Sequence, residues 1–314
     1  MATSPHQDSG ILDCVAKNVL ICPCHEGAKR DMEALPIEAQ VDVWNDLTGA
    51  EAVVRRKGLF VEEPASMVEP ALQLLSYRLE QLVLQRPKEN SSDEKKFSAL
   101  RLALQEHPDY CLRDPLFLLK FLRADRFDVE ATIERLAIHF QCKLELWGRD
   151  KLGREIYFSD LDEDDLHSLM TGYFQISPIK DHAGRRIFFY YKALSSCYRK
   201  RENLLRAYWY MTNRIATQDE TVQQLGVVNV VYNNGGFPPG GMDYEKSRRL
   251  AQIFRGNPVR FDSFIVCLDD SPWLSVVEAF SFLVGKYIRV RMRAIQGKSY
   301  VHAVSPSTIL LSSK

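Results

Sequence analysis

The sequence has no run of apolar residues long enough to cross a membrane, which takes about 20 residues. The longest candidate, residues 273–284, is shorter and contains Glu278. The first residues, MATSPHQDSG, lack the basic and apolar segments of a secretory signal peptide. The seven cysteines are an odd number, and Cys142 and Cys267 lie in apolar stretches, which is typical of reduced thiols. We therefore expect a cytoplasmic protein without a membrane span.

Neither sign of charge is in excess. The 314 residues contain 41 Lys and Arg and 41 Asp and Glu, so the formal net charge is zero. A neutral chain has no overall basic field, which argues against nucleic acid as a partner. The charges are patchy, since residues 160–165 are mostly acidic whereas 199–201 and 286–293 are basic. Local basic patches on a neutral protein suit anionic membrane surfaces.

Motifs for catalysis, nucleotides and metals are also missing. The glycine-rich stretch NNGGFPPGGM is not G-x-G-x-x-G and is interrupted by two prolines. There is no P-loop, no G-x-S-x-G elbow and no H-E-x-x-H pair. Cys22, Cys24 and His25 lack the two-residue gap and the second ligand pair of a zinc site. We expect no metal, no cofactor and no catalytic residue, and an α/β enzyme is the least favoured alternative.

Apolar residues at helical spacing predict a helical first half. The predicted helices cover 41–49, 68–86, 98–106, 115–125 and 129–147. The polar stretch 86–96 predicts a linker. We therefore predict an N-terminal extension over 1–97, partly disordered with one or two amphipathic helices, and a helical subdomain over 98–150.

Strands and helices alternate in the second half. The predicted strands cover 187–193, 227–233, 264–268 and 299–304, and the predicted helices cover 203–225, 244–254 and 273–285. Such alternation is typical of crossover units and a largely parallel sheet. The fold class that we predict is α/β, with the N-terminal helical subdomain followed by a mostly parallel sheet flanked by helices over 151–314.

Residues 264–293 carry the densest signals. An apolar strand is followed by Ser271 and Pro272, which suit the start of a helix. Asp269 and Asp270 suffice as caps for this helix, although at a strand end they would also suit catalysis. The helix has one apolar stripe and runs into a cationic cluster, which suits a lipid with its tail on one side and its phosphate on the other. The alternative is a core helix with a solvated basic end.

Three motifs occur in a characteristic order. DPLFLLKFLRADRFDVEATIERL (114–136) has an apolar Leu-Leu-x-Phe-Leu-Arg-Ala run, then Phe-Asp-Val and a helix. LGVVNVVYNNGGF (225–237) and NPVRFDSFIV (257–266) precede the proline-opened helix. Together they resemble the CRAL-TRIO lipid-binding family, which includes tocopherol and retinaldehyde carriers and phosphatidylinositol transfer proteins. The resemblance covers residues 110–300, with a gapped stretch near 285–293.

The chain departs from the pattern of this family at three places. Asn233 and Asn234 stand where the family usually has Asp, and residues 269–272 replace its Asn-x-Pro turn. Val259 stands where phosphatidylinositol-transferring members have Glu. The last departure argues against the transfer of inositol lipids.

The resemblance implies that a hydrophobic ligand lies in an internal pocket against the sheet. The predicted pocket residues are Phe188, Tyr190, Tyr208, Val228, Val230, Tyr232, Phe254, Phe264, Val266, Val277, Phe280 and Leu283. Packing in an ordinary core is the alternative for each of them. The implied partner is a membrane with anionic lipids, phosphoinositides included. The predicted headgroup and membrane contacts are Arg260, Lys286, Arg289, Arg291 and Arg293.

The resemblance also implies that the helix 273–285 acts as a gate. Opening would expose its aromatic side chains, which a membrane interface tolerates better than water. Gly285 would absorb the backbone rotation of a hinge, or would simply cap the helix. We expect a carrier that moves a lipid or lipophilic molecule between membranes. The alternative is a regulatory module of the same fold without an exchangeable ligand.

Overall fold

A computed structural model describes residues 30–48, 63–84, 92–181, 183–191, 198–233, 243–268 and 289–296. The α-helices in these ranges are α1 (Ile37–Thr48), α2 (Ala65–Leu84), α3 (Ser92–Glu106), α4 (Pro108–Cys111), α5 (Pro115–Ala124), α6 (Val129–Trp147), α7 (Glu163–Met170), α8 (Arg201–Gln218), α9 (Glu220–Leu225) and α10 (Tyr244–Gly256). The strands are β1 (Phe174–Lys180), β2 (Arg186–Tyr191), β3 (Val227–Asn233), β4 (Phe261–Leu268) and β5 (Met292–Gln296). This order confirms the predicted fold class, a helical region followed by a mostly parallel sheet flanked by helices.

The helical region is built on α6, which contacts α2, α3 and α5. Leu75 of α2, Phe121 of α5 and Phe140 of α6 are fully buried where these helices meet. The carboxylates of Asp114 and Asp128 accept hydrogen bonds from backbone N–H groups in the first turns of α5 and α6, so each helix begins with a cap. The amphipathic helix α2 therefore belongs to the same core as the helices that follow it.

Helix α3 begins earlier than the sequence predicts. The polar stretch 86–96 predicts a linker, but the helix already begins at Ser92. Lysine and glutamate are good helix formers, and Lys96 forms an exposed ion pair of 2.7 Å with Glu134 of α6. The domain boundary that we predict at residue 97 therefore falls inside α3.

The five strands lie in the order β1-β2-β3-β4-β5. Strand β1 is antiparallel to β2, and the other neighbours are parallel. Because β2, β3 and β4 step in one direction across the sheet, right-handed crossovers place α8, α9 and α10 on one face. Leu205 of α8 and Ile253 of α10 are buried in the core that forms there.

Two strands lie where the sequence predicts none. Strand β1 contains Pro178 and several polar residues, but it is an edge strand, where proline is tolerated. Strand β5 begins at the end of the basic segment 286–293 and continues to Gln296. The predicted strand 299–304 and the predicted helix 273–285 lie outside the described residues.

Arg135 of α6 joins the helical region to the sheet. Its guanidinium donates to the carboxylate of Asp125 at 2.7 and 2.8 Å. It also donates to the backbone carbonyls of Arg255 and Asn257, both at 3.0 Å. These carbonyls lie at the end of α10, where helical carbonyls need a donor from elsewhere. Arg135 therefore fixes the end of α10, and with it the start of β4, against the helical region.

Candidate functional site

Each parallel strand sends alternate side chains to opposite faces of the sheet. Phe188, Asn229 and Phe264 are register partners across β2, β3 and β4 and share one face. Val230, one position further along β3, points to the other face. The predicted pocket residues of the strands are therefore divided between two faces of the sheet.

The first face is filled by aromatic side chains of the sheet and its helices. Tyr208 of α8 lies with its ring centroid 5.9 Å from Tyr190 and 5.3 Å from Phe254 of α10. Phe254 lies 5.5 Å from Phe264. The hydroxyl of Tyr190 donates to that of Tyr208 at 2.8 Å. Burial raises the pKa of both tyrosines well above the usual range.

Six of the predicted pocket residues belong to this packing. The predicted pocket residues on the first face are Phe188, Tyr190, Tyr208, Phe254, Phe264 and Val266. Each is buried in the core between the sheet and the helices α8 and α10. Edge-to-face and tilted ring pairs occupy this layer, as the alternative of an ordinary core predicts. Contact of these six residues with a ligand stays a prediction.

The second face is apolar as well. Ile187, Val228, Val230 and Cys267 are buried there and form one cluster. Within the described ranges, all members of this cluster and their half-buried neighbours are strand residues. Burial raises the pKa of the Cys267 thiol to about 12, so the cysteine acts as a small apolar group and not as a nucleophile.

Tyrosines line the carboxyl end of the second face. The rings of Tyr191 and Tyr232 stack with centroids 5.6 Å apart, and Phe189 stacks on Tyr232 at 6.2 Å. Tyr232 and Phe189 are half-buried and pack against the apolar cluster. The predicted pocket residues Val277, Phe280 and Leu283 lie outside the described residues. The face thus combines an aliphatic centre with an aromatic end, which suits an apolar ligand.

Two of the predicted headgroup arginines are buried in ion pairs. Arg260 is 6% exposed and donates to Asp262 at 2.7 Å. Arg291 is 7% exposed and donates to Asp46 of α1 at 2.7 and 2.9 Å. A charge in this setting is already compensated and has lost its water. Both arginines therefore lie in buried contacts between segments of the chain and not on its open surface.

The remaining predicted headgroup residues differ in their settings. Arg289 forms an ion pair with Asp31. Arg293 donates to the backbone carbonyls of Val290 and Met292. Lys286 lies outside the described residues. Contact of these three residues with lipid phosphate stays a prediction.

Sequence reasoning missed the acidic partners of these arginines. Asp46 follows the buried Val43 by three residues in α1, so it lies on the same side of that helix. Asp262 and the neighbouring Ser263 interrupt the apolar residues of β4. A carboxylate on an apolar helix stripe or in a buried strand is a signal for a buried cation. The sequence does not say which arginine supplies that cation.

The described residues do not form a metal site. No cluster of three or more His, Cys, Asp or Glu side chains in the described ranges could hold a metal ion. A shallow surface crevice lies between α6 and α10, lined by Cys142, Glu145 and Arg249 among others, and it encloses no space for a water molecule. Ligand pockets usually exceed about 300 Å³, so this crevice is too small for a lipid.

A comparison with protein families agrees with the fold. Residues 73–137 match the family described as CRAL/TRIO, N-terminal domain. This stretch runs from α2 into α6 and includes the motif 114–136. The match supports membership of the CRAL-TRIO family through the first of the three motifs and does not extend to the motifs at 225–237 and 257–266. No curated protein matches the chain.

The family match and the fold together indicate a lipid-binding protein. In the described part of the chain, no helix is both long enough and apolar enough to span a membrane. Val259 stands where the resemblance places a glutamate in phosphatidylinositol-transferring members. It is fully buried in the core on the first face of the sheet. A carboxylate there would need a buried partner.

Proposed function

We propose that the protein is a non-catalytic carrier that binds one lipid or lipophilic molecule and moves it between membranes. The second face of the sheet supports this proposal. It is apolar, and the described helices α8 and α10 pack on the other face. Val228 and Val230 are only 5% and 3% exposed without a ligand, so the lipid tail would enter between these valines and the part of the chain that covers them.

The energetics of such a site are favourable. Burying about 300 Å² of ligand tail at about 25 cal/mol per Å² contributes about 7 kcal/mol before the ordering costs are subtracted. The stacked rings of Tyr191 and Tyr232 add flat apolar area with a polar edge. The site therefore suits a long apolar molecule with one polar end.

We further propose a cytoplasmic protein that visits membranes peripherally. The basic residues Lys286, Arg289 and Arg293 would approach anionic lipids, phosphoinositides included. Each such contact contributes about 1 kcal/mol near an anionic surface and weakens with salt. The buried Val259 argues against inositol lipids as the carried ligand, so we propose them as surface partners only.

The test is lipid extraction from the purified protein, followed by a transfer assay. Mass spectrometry of the extract should find one class of lipophilic molecule at close to one molecule per chain. The same molecule, labelled in donor vesicles, should reach acceptor vesicles faster with the protein than without it. An empty extract together with no transfer would contradict the carrier proposal. That result would favour the alternative, a regulatory module without an exchangeable ligand.

A further inference from the structure

Asp46 of α1 is the centre of a buried group of arginines. Its side chain is 3% exposed. One carboxylate oxygen lies 2.5 Å from Arg126, and the other accepts two hydrogen bonds from Arg291. Arg185 donates to the backbone carbonyl of Asp46. The three arginines come from the turn after α5, the turn before β2 and the residue before β5. Asp46 thus connects three distant parts of the chain.

Helix α1 supplies two of the described carboxylates in this group. Arg126 also pairs with Asp42 of α1 at 3.0 Å. Asp181 and Asp262 belong to the group as well and pair with Arg185 and Arg260. We call the place where Arg126, Arg185, Arg260 and Arg291 meet the arginine recess, and it lies near the amino ends of the parallel strands. Loss of α1 would remove the carboxylates of Asp42 and Asp46 from it.

Two of the described side chains of α1 are buried. These are Val43 and Asp46, whereas Ile37 is 78% and Val41 is 52% exposed. A helix of 12 residues is marginal in water on its own. Among the described side chains, Val43 and the ion pairs of Asp42 and Asp46 attach it. Segments with few buried residues open more readily than a packed core.

A second ion pair connects the same two segments. Asp31, before α1, pairs with Arg289, two residues before Arg291. Residues 289–291 lie between the predicted gate helix 273–285 and strand β5. Two carboxylates of residues 30–48 thus hold the segment through which the predicted gate connects to the sheet.

The backbone near Arg126 is strained. Arg126 and Phe127 have φ angles of 54° and 65°, in the left-handed region that residues with a side chain rarely adopt. Such conformations persist where the surroundings enforce them, and they are frequent in switch regions. Here Asp42 and Asp46 hold the Arg126 side chain. Release of α1 would remove that restraint.

We propose that residues 30–48 form a releasable latch, which binds the arginine recess through Asp46 and restrains residues 289–291. The latch is an acidic helix that the chain supplies to its own basic recess. Its release would free the segment before β5 to move during lipid uptake. This consequence rests on the proposed carrier function, whereas the latch itself rests on the ion pairs and on the exposure of α1.

Hydrogen exchange of the full-length chain tests the latch. The variant Asp46→Asn keeps the shape of the side chain and removes its charge. We expect amide exchange in 37–48 and 292–296 to become at least about tenfold faster, because a buried arginine group loses its partner. Exchange in α6 and β3 should stay as in the wild type. The matched control is Glu38→Gln, an exposed acid on the same helix, which should change neither segment.

Two results would overturn the latch. Unchanged exchange in Asp46→Asn is one. The other is equal acceleration in every element, which would make Asp46 an ordinary part of the core. If that variant does not fold, Asp31→Asn replaces it, since Asp31 is only partly buried. This variant should accelerate exchange in 292–296 by a smaller factor, and no change would again overturn the latch.

Lipid transfer between vesicles separates the latch from the carrier function. Faster transfer by Asp46→Asn than by the wild type would show that the latch restrains transfer. Selective release with an unchanged transfer rate would overturn that restraint. Selective release with no transfer by either protein would contradict the carrier function and leave the latch intact.

Discussion

Single buried charged side chains connect segments of this fold through hydrogen bonds. The side chain of Lys143 in α6 is fully buried and donates to the backbone carbonyls of Leu152 and Arg154 at 3.1 and 2.6 Å. Burial lowers its pKa to about 7, from 10.5 in the unfolded chain. Between these two values the unfolded chain holds more protons than the folded one. The contribution of Lys143 to stability therefore rises with pH across this window.

We expect Lys143→Met to remove this pH dependence. From pH 7 to about pH 8.5, the wild type should gain up to about 2 kcal/mol in free energy of unfolding relative to the variant. Urea unfolding of both proteins at the two pH values measures the difference. A constant difference between them would show that Lys143 does not titrate in this range.

Arg135→Met should destabilise the protein by about 3–5 kcal/mol, because the carboxylate of Asp125, which is only 11% exposed, would lose its cation. The carbonyls of Arg255 and Asn257 would also lose their donor. Urea unfolding measures the loss. Arg113→Met is the control, since Arg113 pairs with Asp109 in an exposed pair, and we expect it to cost less than about 0.5 kcal/mol. Equal losses in the two variants would contradict the role of Arg135.

Elements with a regular apolar pattern could be predicted from the sequence, and elements held by polar contacts could not. Helix α6 and strand β3 follow their apolar spacing. The start of α3 and the start of β5 lie in charged stretches, where the apolar residues show neither helical nor strand spacing. Tertiary contacts decide such segments: Lys96 reaches Glu134, and β5 pairs with β4. The apolar residues of the strands and their alternation between two faces were predictable, but not the packing partners of each face.

The attachment of α1 should depend on pH through Asp262. The pKa of Asp262 is raised to about 6, because burial and the nearby Asp46 of α1 raise it by more than Arg260 and Arg185 lower it. The unfolded value is 3.8. With α1 attached, Asp262 therefore binds its proton more tightly than with α1 released. Attachment is favoured below this pKa and weakens as the pH rises through about 6.

Hydrogen exchange of residues 37–48 at about pH 5 and pH 7 measures this effect, after correction for the intrinsic exchange rate. Protection should be lower at the higher pH in the wild type. In Asp262→Asn the titrating group is gone, so the protection should be the same at both values. The same pH dependence in both proteins would assign it to another group.

At the scale of the whole molecule, the central sheet has two apolar faces, to which we assign different roles. The first face carries the aromatic core under α8 and α10, and it stabilises the fold. The second face carries aliphatic strand residues, and we propose that it holds the lipid. The strand pattern predicts that both faces are apolar. It does not predict which face the helices cover, because that follows from the direction in which the crossovers step.

Neighbouring valines of β3 test this division most directly. Val231 packs against the core on the first face, and Val230 lies in the apolar cluster on the second face. The same substitution at the two positions therefore probes both faces. We expect Val231→Phe to overpack the core and cost about 1–3 kcal/mol, with bound lipid retained. Val230→Phe should lose most of its bound lipid, as measured by native mass spectrometry of the purified proteins, and because Val230 is 3% exposed it should also cost about 1–3 kcal/mol. Full lipid occupancy in Val230→Phe would contradict a lipid site on the second face.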